Sequence, residues 1–290
     1  MLKFLKNNLS YIRLRNLSDC NQAVVGIVVA VLLIGLAVTI LSVVQLVYVP
    51  NWMEEIESEH IDEVFNQFCQ LKLVIDTQSA IKKNYTPIVT SINLGVNKIP
   101  FFMSTRAAGG LDIIDDACIV NISNGTKIYT YYLGTIRFTS ANAYYIPDQS
   151  ISFIYENGAL ITSQTAGNAL NIKPSFAFEN NTIYINMVDI SSVGGKISKY
   201  GYDIEHIRTE YFYIPGNPIV IKNVNYLEIT TNYPDIWGSF ISGYLTYKGI
   251  DVTIIPSGNK VGIQFPAGIN FELSITGIYA QIGPGWIDIY

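Results

Sequence analysis

Hydrophobic and polar positions along this chain follow three successive regimes. From Cys20 to Met53 there is no charged side chain, and within Ala23–Val49 only Thr39, Ser42 and Gln45 interrupt 27 otherwise apolar or small residues. A helix of that length rises about 40 Å, more than the ~30 Å hydrocarbon layer of a bilayer. From about Asn51 to Ser79 the pattern changes. Ile56, Ile61, Val64, Phe65, Phe68, Leu71 and Ile75 recur at steps of three and four, with Glu54, Glu57, Asp62, Asn66 and Lys72 largely between them. That spacing predicts an amphipathic helix, its early carboxylates suited to the positive end of the helix dipole. Pro50 stands at the junction, where it opens or kinks a helix.

Beyond Thr86 the period falls to two. "ISFIYENGALITSQ" is a pair of apolar-alternating segments joined at Asn157-Gly158, and "CIVNISNGTKIYTYYLGTIRF" repeats the plan at Asn124-Gly125. Asn-Gly accommodates the positive φ of a type I′ turn, so both read as hairpins. Further strands are expected at 88–94, 182–189, 208–214, 226–231, 251–256, 260–265 and 271–282. "YPDIWGSFISGYLTY" (233–247) is the one helix expected in this region, with Asp235 near its start. Strands at this frequency without alternating helices predict an antiparallel sandwich. The fold class is therefore α+β, mainly β. Its parts are a basic leader (1–22), a transmembrane helix (23–49), an amphipathic stalk helix (50–82) and a β-rich head (86–290).

Composition and charge sharpen this plan. The chain has 290 residues, 49% hydrophobic and only 14% charged, with 20 Tyr, 13 Phe and 3 Trp, aromatics that favour strands. Lys3, Lys6, Arg13 and Arg15 precede the apolar run, against Asp19 alone; 14 basic and 22 acidic residues follow it. The positive-inside rule then leaves the N-terminus cytoplasmic and the head extracytoplasmic, with Tyr48 and Trp52 at the outer interface. An acidic head without a Lys/Arg run argues against a nucleic-acid partner. The lipid bilayer is the expected partner of the run. The run is too long for an ordinary cleaved secretory signal.

The basic leader, the polar junction Asn21-Gln22-Ala23 and the helix opening Ala23-Val24-Val25-Gly26 resemble the class III signals of archaeal type IV pilin-like proteins. "TSINLGVNKIP", "FIYENGALI" and "EITTNYPDIWGSFI" are similar to segments of uncharacterised membrane-anchored members of that group. The resemblance implies cleavage between Cys20 and Val24, a helix followed by a β-sandwich, and self-association or association with other pilin-like subunits through the apolar helix, where Gly26, Ala30 and Gly35 allow close approach. It carries no catalytic or binding residue.

Candidate chemistry is sparse. Asn84, Asn121, Asn124 and Asn180 each begin an N-x-S/T sequon. Cys69 and Cys118 either form a disulfide or stay as two buried thiols, while Cys20 lies on the other side of the apolar run. His60 and Glu63, three apart on a helix, make at most a two-ligand face, and a solvated acidic helix is the simpler reading. His206 stands beside Glu205 and near Asp203, and Asp112, Asp115 and Asp116 group in "DIIDDAC" as oxygen donors or as a polar turn. No P-loop, G-x-S-x-G, H-E-x-x-H or EF-hand pattern occurs. With two histidines in the chain, no enzyme, no metal and no cofactor is expected. Function therefore lies between a structural or adhesive pilin-like surface protein and an anchored binding module. The module would take a carbohydrate or another surface protein, with Tyr131, Tyr132, Tyr144 and Tyr145 available to stack on sugars.

Overall fold

The computed structural model describes residues 17–96, 107–142, 144–145 and 149–283. Most of the basic leader, including Lys3, Lys6, Arg13 and Arg15, lies outside the described residues. The chain divides into two compact units, one up to Trp52 and the other from Met53 onward.

In the first unit, helix α1 (Leu17–Val43) runs into a five-residue π segment, Val44–Tyr48, and then into the start of helix α2 (Val49–Ile81). The junction residues Asn21, Gln22 and Ala23 are part of α1. The widened turn ends two residues before Pro50, and the Val49 N–H reaches back to the carbonyl of Val44. A π turn spreads the helix where proline removes a donor and crowds the preceding turn, so helical backbone continues where a break could have fallen. Thr39 Oγ1 donates to the Leu36 carbonyl and Ser42 Oγ to that of Val38, each at 2.8 Å, so both hydroxyls are satisfied within the helix itself. None of the most apolar stretch is buried. This one helix near the N-terminus is long and apolar enough to cross a membrane.

The described residues of the second unit form thirteen connected strands in one sheet of order β1-β10-β13-β11-β2-β3-β4-β5-β6, with β8 and β12 also paired to β13, β9 to β2 and β7 to β8. They are β1 (Ile88–Asn93), β2 (Ala108–Ser123), β3 (Ile128–Ala141), β4 (Ser150–Glu156), β5 (Ala159–Gln164), β6 (Gly167–Ile172), β7 (Phe176–Glu179), β8 (Thr182–Ser192), β9 (Ser198–Gly201), β10 (Ile204–Phe212), β11 (Ile219–Thr230), β12 (Thr253–Ser257) and β13 (Lys260–Ile282). Helix α3 (Pro234–Tyr247) lies between β11 and β12, and proline at its first turn suits a position whose N–H has no helical partner. Both Asn-Gly hairpins are present. At Asn157-Gly158 both residues have positive φ, 47° and 77°, while the Asn124 turn spans four residues with only Gly125 left-handed, at 83°. A third tight turn, Asn180-Asn181 between β7 and β8, has φ of 49° and 58°.

Among the described strands, pairing is antiparallel with one exception. β8 runs parallel to β13 from Asn270↔Thr182 to Ala280↔Ser192. The strands expected separately at 260–265 and 271–282 are one strand, β13, which pairs with β11, β12, β8 and β10 along its length. Its pairing with β11 is irregular on both sides of Val224: β11 carries one extra residue between Ile221 and Val224, where Asn223 takes φ 57°, and β13 carries three extra residues between Gln264 and Ile269.

Two cores result. One lies under α2, where Val64, Phe68, Leu71 and Ile75 are fully buried against Leu111, Ile136, Phe138, Phe153, Tyr155, Ile207 and Ile278. The other lies under α3, where Trp237, Ile241 and Leu245 meet Val120, Leu133, Ile161, Leu227, Val261 and Ile263. Strands shared between the cores bury both faces. Phe153 and Tyr155 of β4 point to the α2 side and Ile154 to the α3 side; Met187 and Val188 of β8 divide the same way. At about 1.5–3 kcal/mol for each fully buried large apolar side chain, the four α2 residues alone tie that helix firmly to the sheet. The amphipathic helix thus shares the head's core from Met53 onward and belongs to the same compact unit.

Candidate functional site

Glu54, Glu55, Glu59, Asp62 and Asn66 of α2 are exposed, but other polar residues of the helix turn inward. Glu57 is fully buried, and its Oε2 accepts the backbone N–H groups of Tyr144 and Tyr145 at 2.8 and 2.7 Å. His60, Glu63 and Gln67 converge on Asn93, the last residue of β1. The His60 ring nitrogen Nε2 lies 3.0 Å from the Asn93 carbonyl, Gln67 Oε1 accepts the Asn93 N–H at 2.8 Å, and Glu63 Oε2 accepts from the Asn93 carboxamide at 3.2 Å. Since β1 is an edge strand among the described strands, paired there with β10, helix side chains here satisfy main-chain groups that a sheet edge would leave bare. Burial pushes the His60 pKa down, partly opposed by the bond to Asn93 and by the charges of Glu63 and Glu57. Its Nδ1 is buried without a partner. The His60–Glu63 pair is therefore a clamp on the strand end, and among the described residues no group of three His, Cys, Asp or Glu side chains is placed to hold a metal ion.

The other candidates separate in the same way. Asp112 pairs with Arg137 at 3.0 Å and accepts from Ser198; Asp115 accepts the N–H and hydroxyl of Ser192; Asp116, at φ 53°, occupies the bulge in β2 between Ile114 and Cys118. Each aspartate serves a different purpose. His206 is exposed and bonds Ser91 across the β1–β10 pair at 3.0 Å, whereas the neighbouring Glu205 is buried on the opposite face with Lys196 at 3.1 Å. Strand alternation sends adjacent residues to opposite faces, so proximity in sequence did not produce a His–carboxylate pair. Cys69 and Cys118 are both free thiols. Cys118 is buried in the α3-side core and Cys69 packs at the edge of the α2-side core, so the pairing considered from sequence is not formed.

Nor do the four tyrosines make a common platform. Tyr131 packs on the α3-side core, Tyr132 is exposed on the other face of β3, and Tyr144 and Tyr145 belong to the segment held by Glu57. The aromatic surface lies elsewhere, on α3. An open cleft of about 570 Å³ is lined by Leu170, Lys173, Phe240, Gly243, Tyr244 and Tyr247, among others. Phe176 supports it from below, edge-on to Phe240 and Tyr244 with ring centroids 5.6 and 5.1 Å away. The Tyr244 hydroxyl accepts the Phe178 N–H, which fixes that ring, and Tyr247 is 83% exposed. The signal was present in "IWGSFISGYLTY": Phe240, Tyr244 and Tyr247 follow at steps of four and three and share one helical face.

Beneath this helix sits a buried carboxylate that sequence reasoning did not single out. Glu156, the last residue of β4, is 1% exposed, and its Oε1 accepts from Thr231 Oγ1 and Trp237 Nε1, each at 2.7 Å. Burial raises its pKa to about 6 despite those two donors. It ties β4, the end of β11 and the first turn of α3 together.

The sequons fall in two settings. Asn121 is within β2, between β3 and β11, with its carboxamide bonded to Glu228 and Thr130; Asn84, Asn124 and Asn180 lie in turns or loops. Compared with known proteins, the chain matches no family model, no curated protein and no solved structure.

Proposed function

We propose that this chain is a single-pass, membrane-anchored surface protein, pilin-like in plan, whose β-rich head is displayed outside the cell in a structural or adhesive role. The observation that carries this reading is the contrast between the two units. Val24 to Tyr48 expose every large hydrophobic side chain, whereas the unit from Met53 on closes two complete apolar cores. A stretch of mean hydropathy 3.1 left bare needs lipid, or copies of itself, to cover it. The basic residues before it and acidic residues after it support a cytoplasmic N-terminus. Electron microscopy of material sheared from cells tests the assembled form: filaments labelled by an antibody to the head support a pilus-like subunit, and recovery only after detergent extraction supports a solitary anchor.

A second reading, an anchored binding module, is favoured by the α3 cleft. Its exposed aromatic face offers stacking surfaces for a sugar ring, flanked by Lys173. Binding of the detergent-solubilised chain to an immobilised saccharide panel tests it, with Tyr247→Ala expected to lower any signal at least tenfold while leaving the fold unchanged.

A further inference from the structure

Two of the four sequons beyond the apolar run are only three residues apart, and the structure treats them oppositely. Asn121 lies in the middle of a sheet. Its backbone is in register with Thr130 on β3 and Glu228 on β11, its Nδ2 donates to Glu228 Oε1 at 3.2 Å, and its Oδ1 accepts from Thr130. Asn124 is in the four-residue turn that closes the β2–β3 hairpin. Its Oδ1 accepts three bonds, from the Thr126 N–H at 3.2 Å, the Thr126 hydroxyl at 2.9 Å and the Lys127 N–H at 2.9 Å. Three donors on one atom identify the oxygen end of the carboxamide, because the amide nitrogen accepts nothing. Nδ2 is thereby turned away from the turn and donates no bond to any described residue.

From this arrangement we propose that Asn124 is an N-glycosylation site of the folded chain and that Asn121 is not. The reacting partner is an oligosaccharide carried on a polyprenyl diphosphate. A new bond forms between Asn124 Nδ2 and the anomeric carbon, the bond from that carbon to the diphosphate oxygen breaks, polyprenyl diphosphate leaves with the electron pair, and one amide proton passes to base. The site is fit for this on three counts. The nucleophilic nitrogen is free. The hydroxyl at the second position after it already touches the same carboxamide, which brings the asparagine and threonine that such an enzyme must read into one cluster. Gly125, Thr126 and Lys127 are exposed, so the turn can enter an enzyme's groove without any ladder hydrogen bond being lost. At Asn121 entry would require breaking pairs on both sides. Asn180 is less well placed than Asn124, since its threonine, Thr182, is already the first residue of β8 and in register with Glu179 and Asn270. A glycan at Asn124 would stand at a hairpin tip, away from both cores.

The inference rests on the extracytoplasmic location proposed above, because the lipid-linked donor is used on that side of the membrane. The full chain, carrying Asn84→Gln and Asn180→Gln so that two sequons remain beyond the apolar run, is expressed in cells whose N-x-S/T oligosaccharyltransferase faces outward. Intact mass and glycopeptide sequencing are read alongside digestion of intact cells by external protease. The expected result is one glycan per chain at Asn124, lost in Thr126→Ala and retained in Asn121→Gln. A protease-accessible head that is bare at Asn124, or modified at Asn121, overturns the inference and leaves the location standing. A bare head that external protease cannot reach overturns both. Retention of the glycan mass in Thr126→Ala likewise rules out Asn124.

Discussion

Replacing Glu156 by glutamine isolates one ionisation in the middle of the head. Glu156 Oε1 receives the Thr231 hydroxyl and the Trp237 indole N–H, and glutamine keeps an oxygen for both while removing the charge. In the wild-type chain the carboxyl has a pKa of about 6, against an ordinary value of 4.5. Between those values the folded state holds a proton that the unfolded state has released. Stability therefore falls as pH rises from 4.5 through about 6, and it is lower above that window than below it. The gap is worth about 2 kcal/mol at 1.36 kcal/mol per pH unit, for a group 1% exposed. Urea unfolding of the full chain in detergent, followed by tryptophan fluorescence at pH 4, 5, 6 and 7, measures it. Other carboxylates titrate in both proteins, so the quantity of interest is the difference between them. Glu156→Gln is expected to gain on wild type by about 2 kcal/mol between pH 4 and 7. A difference that stays flat across that range, or one of opposite sign, would refute the assignment of a desolvated, unpaired carboxylate.

Two further outcomes follow from the packing. A methyl group at Gly134 of β3 would lie 1.9 Å from the Ile190 carbonyl oxygen, a backbone atom of the facing strand β8, so Gly134→Ala should cost more than about 3 kcal/mol in the same urea assay. His60→Ala removes both the contact with the Asn93 carbonyl and an edge-on ring contact with Phe138 at 6.2 Å, for a loss of about 2 kcal/mol. Because the folded-state pKa of His60 is depressed, its contribution should be full above the ordinary value of 6.5 and should fade as pH drops below it. Amide exchange at Asn93 and Leu94 would show the clamp loosening, and a pH-independent His60→Ala difference would contradict it.

Much of the plan was legible because it is local. The 27-residue apolar run, the three-and-four spacing of α2, both Asn-Gly hairpins and the helix expected within 233–247 are set by neighbouring residues, and each is found. What was not legible depends on distant partners. The strands expected separately at 260–265 and 271–282 are joined in β13, because the residues between Gln264 and Ile269 are taken up as a bulge opposite Val224 and Tyr226 of β11, a partner distant in sequence. The parallel pairing of β8 with β13 joins segments about 88 residues apart and leaves no turn signature. Glu57 and Lys72 looked like solvated positions on an amphipathic helix. Glu57 is instead buried on the main chain of residues 144–145, and Lys72 is nearly buried, paired with Asp76 at 2.6 Å. For the candidate sites, residue type was visible and direction was not: His206 and Glu205 are neighbours in sequence on opposite faces of one strand.

The central claim is that the apolar helix holds the chain in a membrane with the head outside, and protease accessibility tests it most directly. Intact cells expressing the full chain with an epitope at the N-terminus are treated with an external protease, with permeabilised cells as the control. The expected result is loss of the head from intact cells and survival of a short membrane-bound fragment that keeps the epitope until permeabilisation. An intact full-length chain in unpermeabilised cells, or its recovery in the soluble fraction after alkaline extraction, would contradict the account.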